Sequence, residues 1–314
     1  MPPPCPSLSH TRLLAGTWLL AVLLFGWTSW HHEMWMDEIS VWQLAVESGS
    51  WRELIDNTRG LGQHPLWFFL IYPLSRLTPS PGIMQGLQVL LYSVSAGLVL
   101  FKSPWSLSNR ILLPFGFLII FEYGIINRHY GLTVLFLLLS CHLLNERSLQ
   151  KPTLFFLSLS GLVLSGLFAS FLAAGLMVCH WLILHSRGQS WKTLPFFNSP
   201  SSLAGSLCLF LSLALCVWYL LGGHATDATT FDQPLDLAQF FRTWGAVGTS
   251  LFPVPGLTAS FWNTNLLSSP SLQILLGLFL AGYFLMAFRS HTPTFGLLLS
   301  GGGLIFAFLF AVQY

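Results

Sequence analysis

The chain has 314 residues, 54% of them hydrophobic and only 8% charged, with a formal net charge of +2. Soluble domains carry about 25% charged residues, so this composition, with a mean hydropathy of +0.67, excludes an ordinary soluble protein and points to a polytopic helical membrane protein. No Lys/Arg cluster is present that could hold a phosphate backbone, which excludes nucleic acid as a partner. Of the five cysteines, Cys141, Cys179, Cys208 and Cys216 lie in apolar runs, and none has CxxC spacing. They read as small packing residues and imply no disulfide framework.

Residues 1–12 hold four prolines and one charge. They could pass for the start of a signal peptide, but no small-x-small cleavage site follows Trp30, so the run 13–30 reads as a retained anchor. Further apolar runs fall at 65–78, 83–101, 110–126, 130–145, 153–168, 170–186, 203–221, 271–289 and 293–313. The expected fold is an all-α transmembrane bundle of about 9–10 membrane segments. It forms one domain over 1–314, and no C-terminal soluble domain is expected. The stretch 245–265, broken by Pro253 and Pro255, reads as loop or re-entrant segment. The 65–78 run is short and flanked by prolines, which suits a re-entrant or interfacial segment as well as a crossing.

Arg12, Lys102, Arg110, Arg147, Lys151, Arg187, Lys192 and Arg289 lie in short connections, which the positive-inside rule places in the cytoplasm. Six of the eleven acidic residues fall in 31–64, and Asp227, Asp232 and Asp236 fall in 222–244. The 31–64 loop, the 122–130 turn and the 222–270 loop should therefore share the outer face.

The first outer loop looks structured. Trp35, Ile39, Trp42 and Val46 recur at helical spacing, as in an amphipathic helix lying on a membrane. Ser50-Trp51-Arg52-Glu53 reads as a capping box opening a second short helix, which Gly60 and Gly62 would end.

Within this loop sits Asp37-Glu38, two adjacent carboxylates just past the first apolar run. Such a pair has no packing value at a membrane boundary and reads as a working site. A carboxylate there can take a proton from an acceptor hydroxyl, and the pair could hold a divalent metal. It could equally be a solvated turn or a helix N-terminal charge. His64-Pro65 ends the loop; His64 could contact a phosphate or relay a proton, or simply precede a helix-opening proline. The cluster from Glu122 to Tyr130 includes Arg128, which can pair with a lipid phosphate, with Glu122, or snorkel in an aromatic belt. His224 and Asp227 could complete a site or lie in a solvated loop. His31-His32 reads as interfacial.

Asp37-Glu38, His64-Pro65 and Arg128-His129-Tyr130-Gly131-Leu132, in that order, resemble the GT-C integral-membrane glycosyltransferases. The resemblance is to the branch with protein O-mannosyltransferases and lipid A aminoarabinose transferases (glycosyltransferase families 39 and 83), and it covers about residues 10–145. It implies a polyprenyl-phosphate sugar donor and transfer on the outer face of a plasma membrane, usually with inversion, to a lipid, glycan or protein acceptor. Asp37 would then be the base or acceptor-positioning carboxylate, and Glu38 would support it or hold a metal. His64 and Arg128 would face the donor phosphate. Tyr130 would line the pocket, with Glu122 and His224 nearby. No cofactor is evident beyond that divalent metal. Asn127 and His129 depart from the acidic residue and proline often found beside the family arginine. Two other classes fit the same profile: a transporter or flippase of lipid-linked or anionic substrates, and a non-catalytic membrane subunit.

Overall fold

A computed structural model describes residues 8–116, 119–120, 124–144, 152–186, 188, 199–222, 237–251, 269–289, 296 and 298–312. The protein is an all-α polytopic transmembrane bundle. Among the described residues there are thirteen α-helices and no strand. They are α1 (Leu8–Trp30), α2 (Met36–Glu47), α3 (Trp51–Thr58), α4 (Pro65–Ser75), α5 (Gly82–Lys102), α6 (Leu107–Leu112), α7 (Tyr130–Leu144), α8 (Pro152–Ser165), α9 (Leu167–Ser186), α10 (Pro200–Leu220), α11 (Leu237–Leu251), α12 (Pro270–Phe288) and α13 (Gly303–Val312).

Five of these, α1, α5, α9, α10 and α12, are long and apolar enough to cross a bilayer. Other apolar runs build shorter helices among the described residues, α4, α7 and α8. At 11 residues α4 is about 16 Å long, roughly half a hydrocarbon core. The 110–126 run does not form one helix. Leu113–Phe115 is a 3₁₀ turn containing Pro114, which cannot donate to a helix, and 124–129 is turn and bend. Within the 245–265 stretch, 245–251 is helical as the end of α11, and 252–265 lies outside the described residues. The long helices leave apolar side chains uncovered. Leu20, Leu23 and Trp27 on α1 and Leu207, Leu211 and Val217 on α10 are all exposed, as lipid-facing surfaces require and soluble surfaces seldom tolerate.

The chain divides into two compact units. One comprises Met1–Ala173 with Thr193–Ala225, and the other Ala174–Lys192 with Thr226–Tyr314.

In the first unit α1 and α5 run antiparallel. Trp18 Nε1 donates to the Ser93 carbonyl (2.9 Å), Phe25 stacks on Tyr92 (centroids 4.1 Å apart), and Gln85 Nε2 donates to the carbonyls of Ser29 (2.8 Å) and His32 (3.1 Å). This pairing puts Arg12 and Lys102 at one end of the helices and the 31–64 segment at the other. Arg110 stays at the basic end, its Nε on the Leu100 carbonyl at 2.6 Å.

At the opposite end α2, α3 and α4 share a core of Val41, Trp42, Ala45, Leu54, Trp67, Phe68, Ile71 and Tyr72, with Met84 and Leu91 of α5 and Leu132 of α7. The buried face of α2 is Glu38, Val41, Trp42 and Ala45. Of the apolar stripe Trp35, Ile39, Trp42 and Val46, Trp42 joins this core, while Trp35 and Val46 are exposed, as side chains lying on a membrane would be. The face packed against protein keeps the i, i+3, i+4, i+7 spacing with a carboxylate in its first position, which an apolar pattern cannot register. Ser50 caps α3, its Oγ accepting from the Glu53 N–H (3.2 Å). Glu53 reaches one residue further back than in a capping box, to the Gly49 N–H at 2.7 Å. Gly60 (φ 85°) and Gly62 (φ 72°) take the left-handed turn that ends the segment.

In the second unit α11 and α12 pack closely, with Gly245 allowing approach to Ile274 and Gln273. Phe306 of α13 sits 4.6 Å from Trp244 and 5.6 Å from Phe240.

Candidate functional site

The first turn of α2 presents Asp37 and Glu38 where the helix dipole favours negative charge. Helical geometry turns these neighbours in different directions. Glu38 is completely buried and Asp37 faces solvent.

Glu38 is filled by donors. Its Oε2 accepts from the Trp35 N–H at 2.8 Å and from His32 Nε2 at 3.0 Å. Its Oε1 accepts from both the backbone N–H and the side-chain Nδ2 of Asn127, at 2.5 and 2.8 Å. Burial alone would push the carboxyl up. The hydrogen bonds from His32, Trp35 and Asn127 outweigh it and hold Glu38 below the ordinary carboxylate range. Those donors take up the lone pairs of a carboxylate, so Glu38 has no capacity left for a metal. Among the described residues no group of three or more His, Cys, Asp or Glu side chains converges on a metal position.

Asn127 and Arg128 belong to the irregular strand of chain that precedes α7. Two features hold it. Gln88 of α5 donates its amide to the carbonyls of Ile126 (3.0 Å) and Arg128 (2.6 Å), and Glu38 takes the intervening N–H. Non-helical backbone in a buried setting survives where protein groups satisfy it, as these bonds do.

From this anchored segment Arg128 Nη1 reaches Asp37 Oδ2 at 3.0 Å. The arginine side chain is 17% exposed and the aspartate 72%. The Arg128 Nε is buried with no hydrogen-bond partner among the described residues.

His129 follows Arg128 in sequence, and His64 lies within electrostatic reach of His129. His64, at the N-cap of α4 before Pro65, is buried, and burial pushes it down to about 4. His129 is pushed down to about 3, first by burial and then by the charges of Arg128 and His64. Both imidazoles are therefore neutral at pH 7, and Arg128 is the cation of the site. The Tyr130 ring lies 4.5 Å from His129.

Of the residues singled out by sequence, the structure brings Asp37 and Arg128 into contact and buries Glu38 against Asn127, with His64 in electrostatic reach of His129 and the Tyr130 ring beside His129. Glu122, His224, Asp227, Asp232 and Asp236 lie outside the described residues. The sequence reading passed over His32 as interfacial, which suits His31, whose Nδ1 lies 2.8 Å from the Trp27 carbonyl. It also missed Asn127, Gln88 and His129 as working parts. The available signal was a polar residue, Gln88, in the middle of an apolar span.

No protein-family model, curated protein or solved structure matches the chain.

Proposed function

We propose that the chain is a GT-C-like membrane glycosyltransferase that moves a sugar from a polyprenyl-phosphate donor to an acceptor hydroxyl on the outer face of a plasma membrane. The observation that carries this reading is the pairing of an exposed carboxylate, Asp37, with a largely buried arginine, Arg128, 91 positions away. Next to Arg128 in sequence is neutral His129, with neutral His64 in electrostatic reach of it. The pair stands at the end of the first unit opposite Arg12 and Lys102, which is the outer end if basic residues stay in the cytoplasm.

The chemistry needs few groups. A lipid-linked sugar arrives with its leaving group already activated. Asp37 takes the proton of the acceptor hydroxyl as its oxygen bonds to the sugar's anomeric carbon. The bond from that carbon to the phosphate oxygen breaks, and polyprenyl phosphate leaves. Arg128 meets the charge gathering on the phosphate, and neutral His64 and His129 supply N–H donors without competing for the proton. Attack opposite the leaving phosphate inverts the anomeric centre.

A transporter of lipid-linked substrates is the second reading. It is favoured by the small cavity that Gln88, Tyr92 and Ser95 form with Ile119, Gly124, Gly131 and Val134 beside the broken 113–129 segment.

The test is transfer of radiolabelled sugar from a panel of polyprenyl-phosphate sugars in membranes, comparing the native chain with Asp37→Asn. Transfer by the native chain and its loss in the variant support the enzyme. Uptake or flipping of the donor without transfer selects the transporter.

A further inference from the structure

Two neighbouring pairs tie α2 to the segment before α7 in parallel. The outer pair, Asp37 and Arg128, reaches solvent. The inner pair, Glu38 and Asn127, is fully buried. Because 37 and 38 are adjacent, as are 127 and 128, fixing the inner pair fixes the backbone positions from which the outer side chains extend.

The outer pair cannot set that distance itself. It joins an exposed aspartate to a long, many-jointed side chain, and such pairs hold geometry weakly. The inner pair is different in kind. One carboxylate oxygen receives two donors of the same residue, a backbone N–H and a side-chain amide, and this fork has one arrangement. His32 and the Trp35 N–H complete the carboxylate on the α2 side. A buried charge of this sort contributes less to stability than apolar packing of equal volume, and its attested use is to fix register.

We propose that Glu38, Asn127 and His32 are positioning residues that set the separation of Asp37 from Arg128. On the glycosyltransferase reading, on which this last step alone rests, they set the separation of proton acceptor from leaving phosphate.

The experiment measures that separation directly. In a chain whose five native cysteines are replaced by serine, Asp37→Cys and Arg128→Cys are joined by a short bis-methanethiosulfonate reagent. The rate is compared after adding Glu38→Gln, Asn127→Ala, His32→Ala or His32→Gln. A control chain carries Thr133→Cys and Ser165→Cys, whose native hydroxyls lie 3.0 Å apart between α7 and α8, and is closed by mild oxidation.

Glu38→Gln and Asn127→Ala are expected to slow the 37–128 cross-link about tenfold, the scale of a lost charge-assisted hydrogen bond, and to leave the 133–165 closure unchanged. His32→Ala slows it, and His32→Gln, which keeps a donor, restores it. Equal 37–128 rates in all variants would overturn the proposal. Loss of both cross-links together would also overturn it, since Glu38 would then hold the fold and not the separation. Transfer assays on the same substitutions without the engineered cysteines keep the two readings apart. Slowed cross-linking with no transfer from any donor by the native chain removes the enzyme and leaves the positioning. Unchanged cross-linking with active transfer removes the positioning alone.

Discussion

His129 lies edge-on against Gly166, so close that a Cβ on the glycine would stand 3.2 Å from the imidazole Cδ2 and 3.3 Å from Nε2. Gly166 is the single residue between α8 and α9, and Thr133 and Ser165 bridge α7 to α8 beside it. The helix break thus forms the wall behind the histidine that flanks Arg128. Gly166→Ala asks the ring to move a few tenths of an ångström, and its cost should stay within about 1 kcal/mol. Gly166→Val adds two methyls against the ring and should cost about 1–3 kcal/mol by overpacking. Thermal unfolding in detergent ranks the two. If valine is tolerated as well as alanine, the ring does not pack there.

Adjacent carboxylates should behave in opposite ways. Asp37 is exposed and its ion pair faces solvent, so Asp37→Asn should cost no more than about 1 kcal/mol of stability. As the proposed proton acceptor, its loss should lower transfer by about 10²–10⁴-fold. Glu38→Gln keeps the shape but turns an amide toward the N–H groups of Trp35 and Asn127, and should destabilise by about 3 kcal/mol. Melting and transfer measured on both variants check the contrast. An Asp37→Asn chain that melts like Glu38→Gln would contradict the assignment of roles.

The parts of this arrangement legible in the sequence are those that depend on near neighbours. The spans of α1 and α5 follow from unbroken apolar length, and Ser50 before Glu53 marks the start of α3. The existence of α2 was legible but not the face it packs on protein, since the position that begins that face is Glu38, a residue that hydrophobic patterning counts as outward. The 110–126 run carried its own warning in Pro114 and Gly116, yet its mean apolarity outweighed them. Asn127 stood within the 122–130 cluster, but its partner could not be read. Its role exists only through a carboxylate 89 positions earlier, and nothing local distinguishes it from a loop asparagine. His32 was hidden by His31: one ring lies on its own helix and the other on Glu38.

Arg76 offers a test of what holds the first loop in place. Its Nη2 donates to the carbonyls of Ala45 (2.7 Å) and Val46 (3.3 Å) and to that of Ser48, satisfying the C-terminus of α2, and the guanidinium lies 4.6 Å over the Tyr72 ring. A cation at that end also meets the negative pole of the helix. Arg76→Ala should destabilise by about 1.5–3 kcal/mol. Arg76→Lys should recover only part of this, because an ammonium lacks the planar fork and the stacking face. Hydrogen exchange across 36–48 should rise in Arg76→Ala while that of α1 and α5 holds. A uniform rise over the chain would show that Arg76 supports the whole unit and not this cap.

Acid should unfold the protein through three groups acting in one direction. His64 and His129 sit at about 4 and about 3 in the folded chain against an ordinary 6.5, so between these values the unfolded chain binds more protons. Their contribution is complete above pH 6.5 and is lost as the pH falls toward 4 and then 3. Glu38, held below its ordinary 4.5, acts with the same sign lower down: its contribution is complete above 4.5 and lost as the pH falls further. The melting temperature should therefore decline steadily from pH 6.5 downward and steepen below 4.5. Replacing His64 and His129 together by Gln should flatten the upper part of the curve and leave the lower part in place. A melting temperature that rises as the pH falls from about 8 to 6.5 and then stays level to 4.5 would mean the histidines become charged in the fold, with values raised above 6.5. In that case the only cation available to a leaving phosphate would no longer be Arg128.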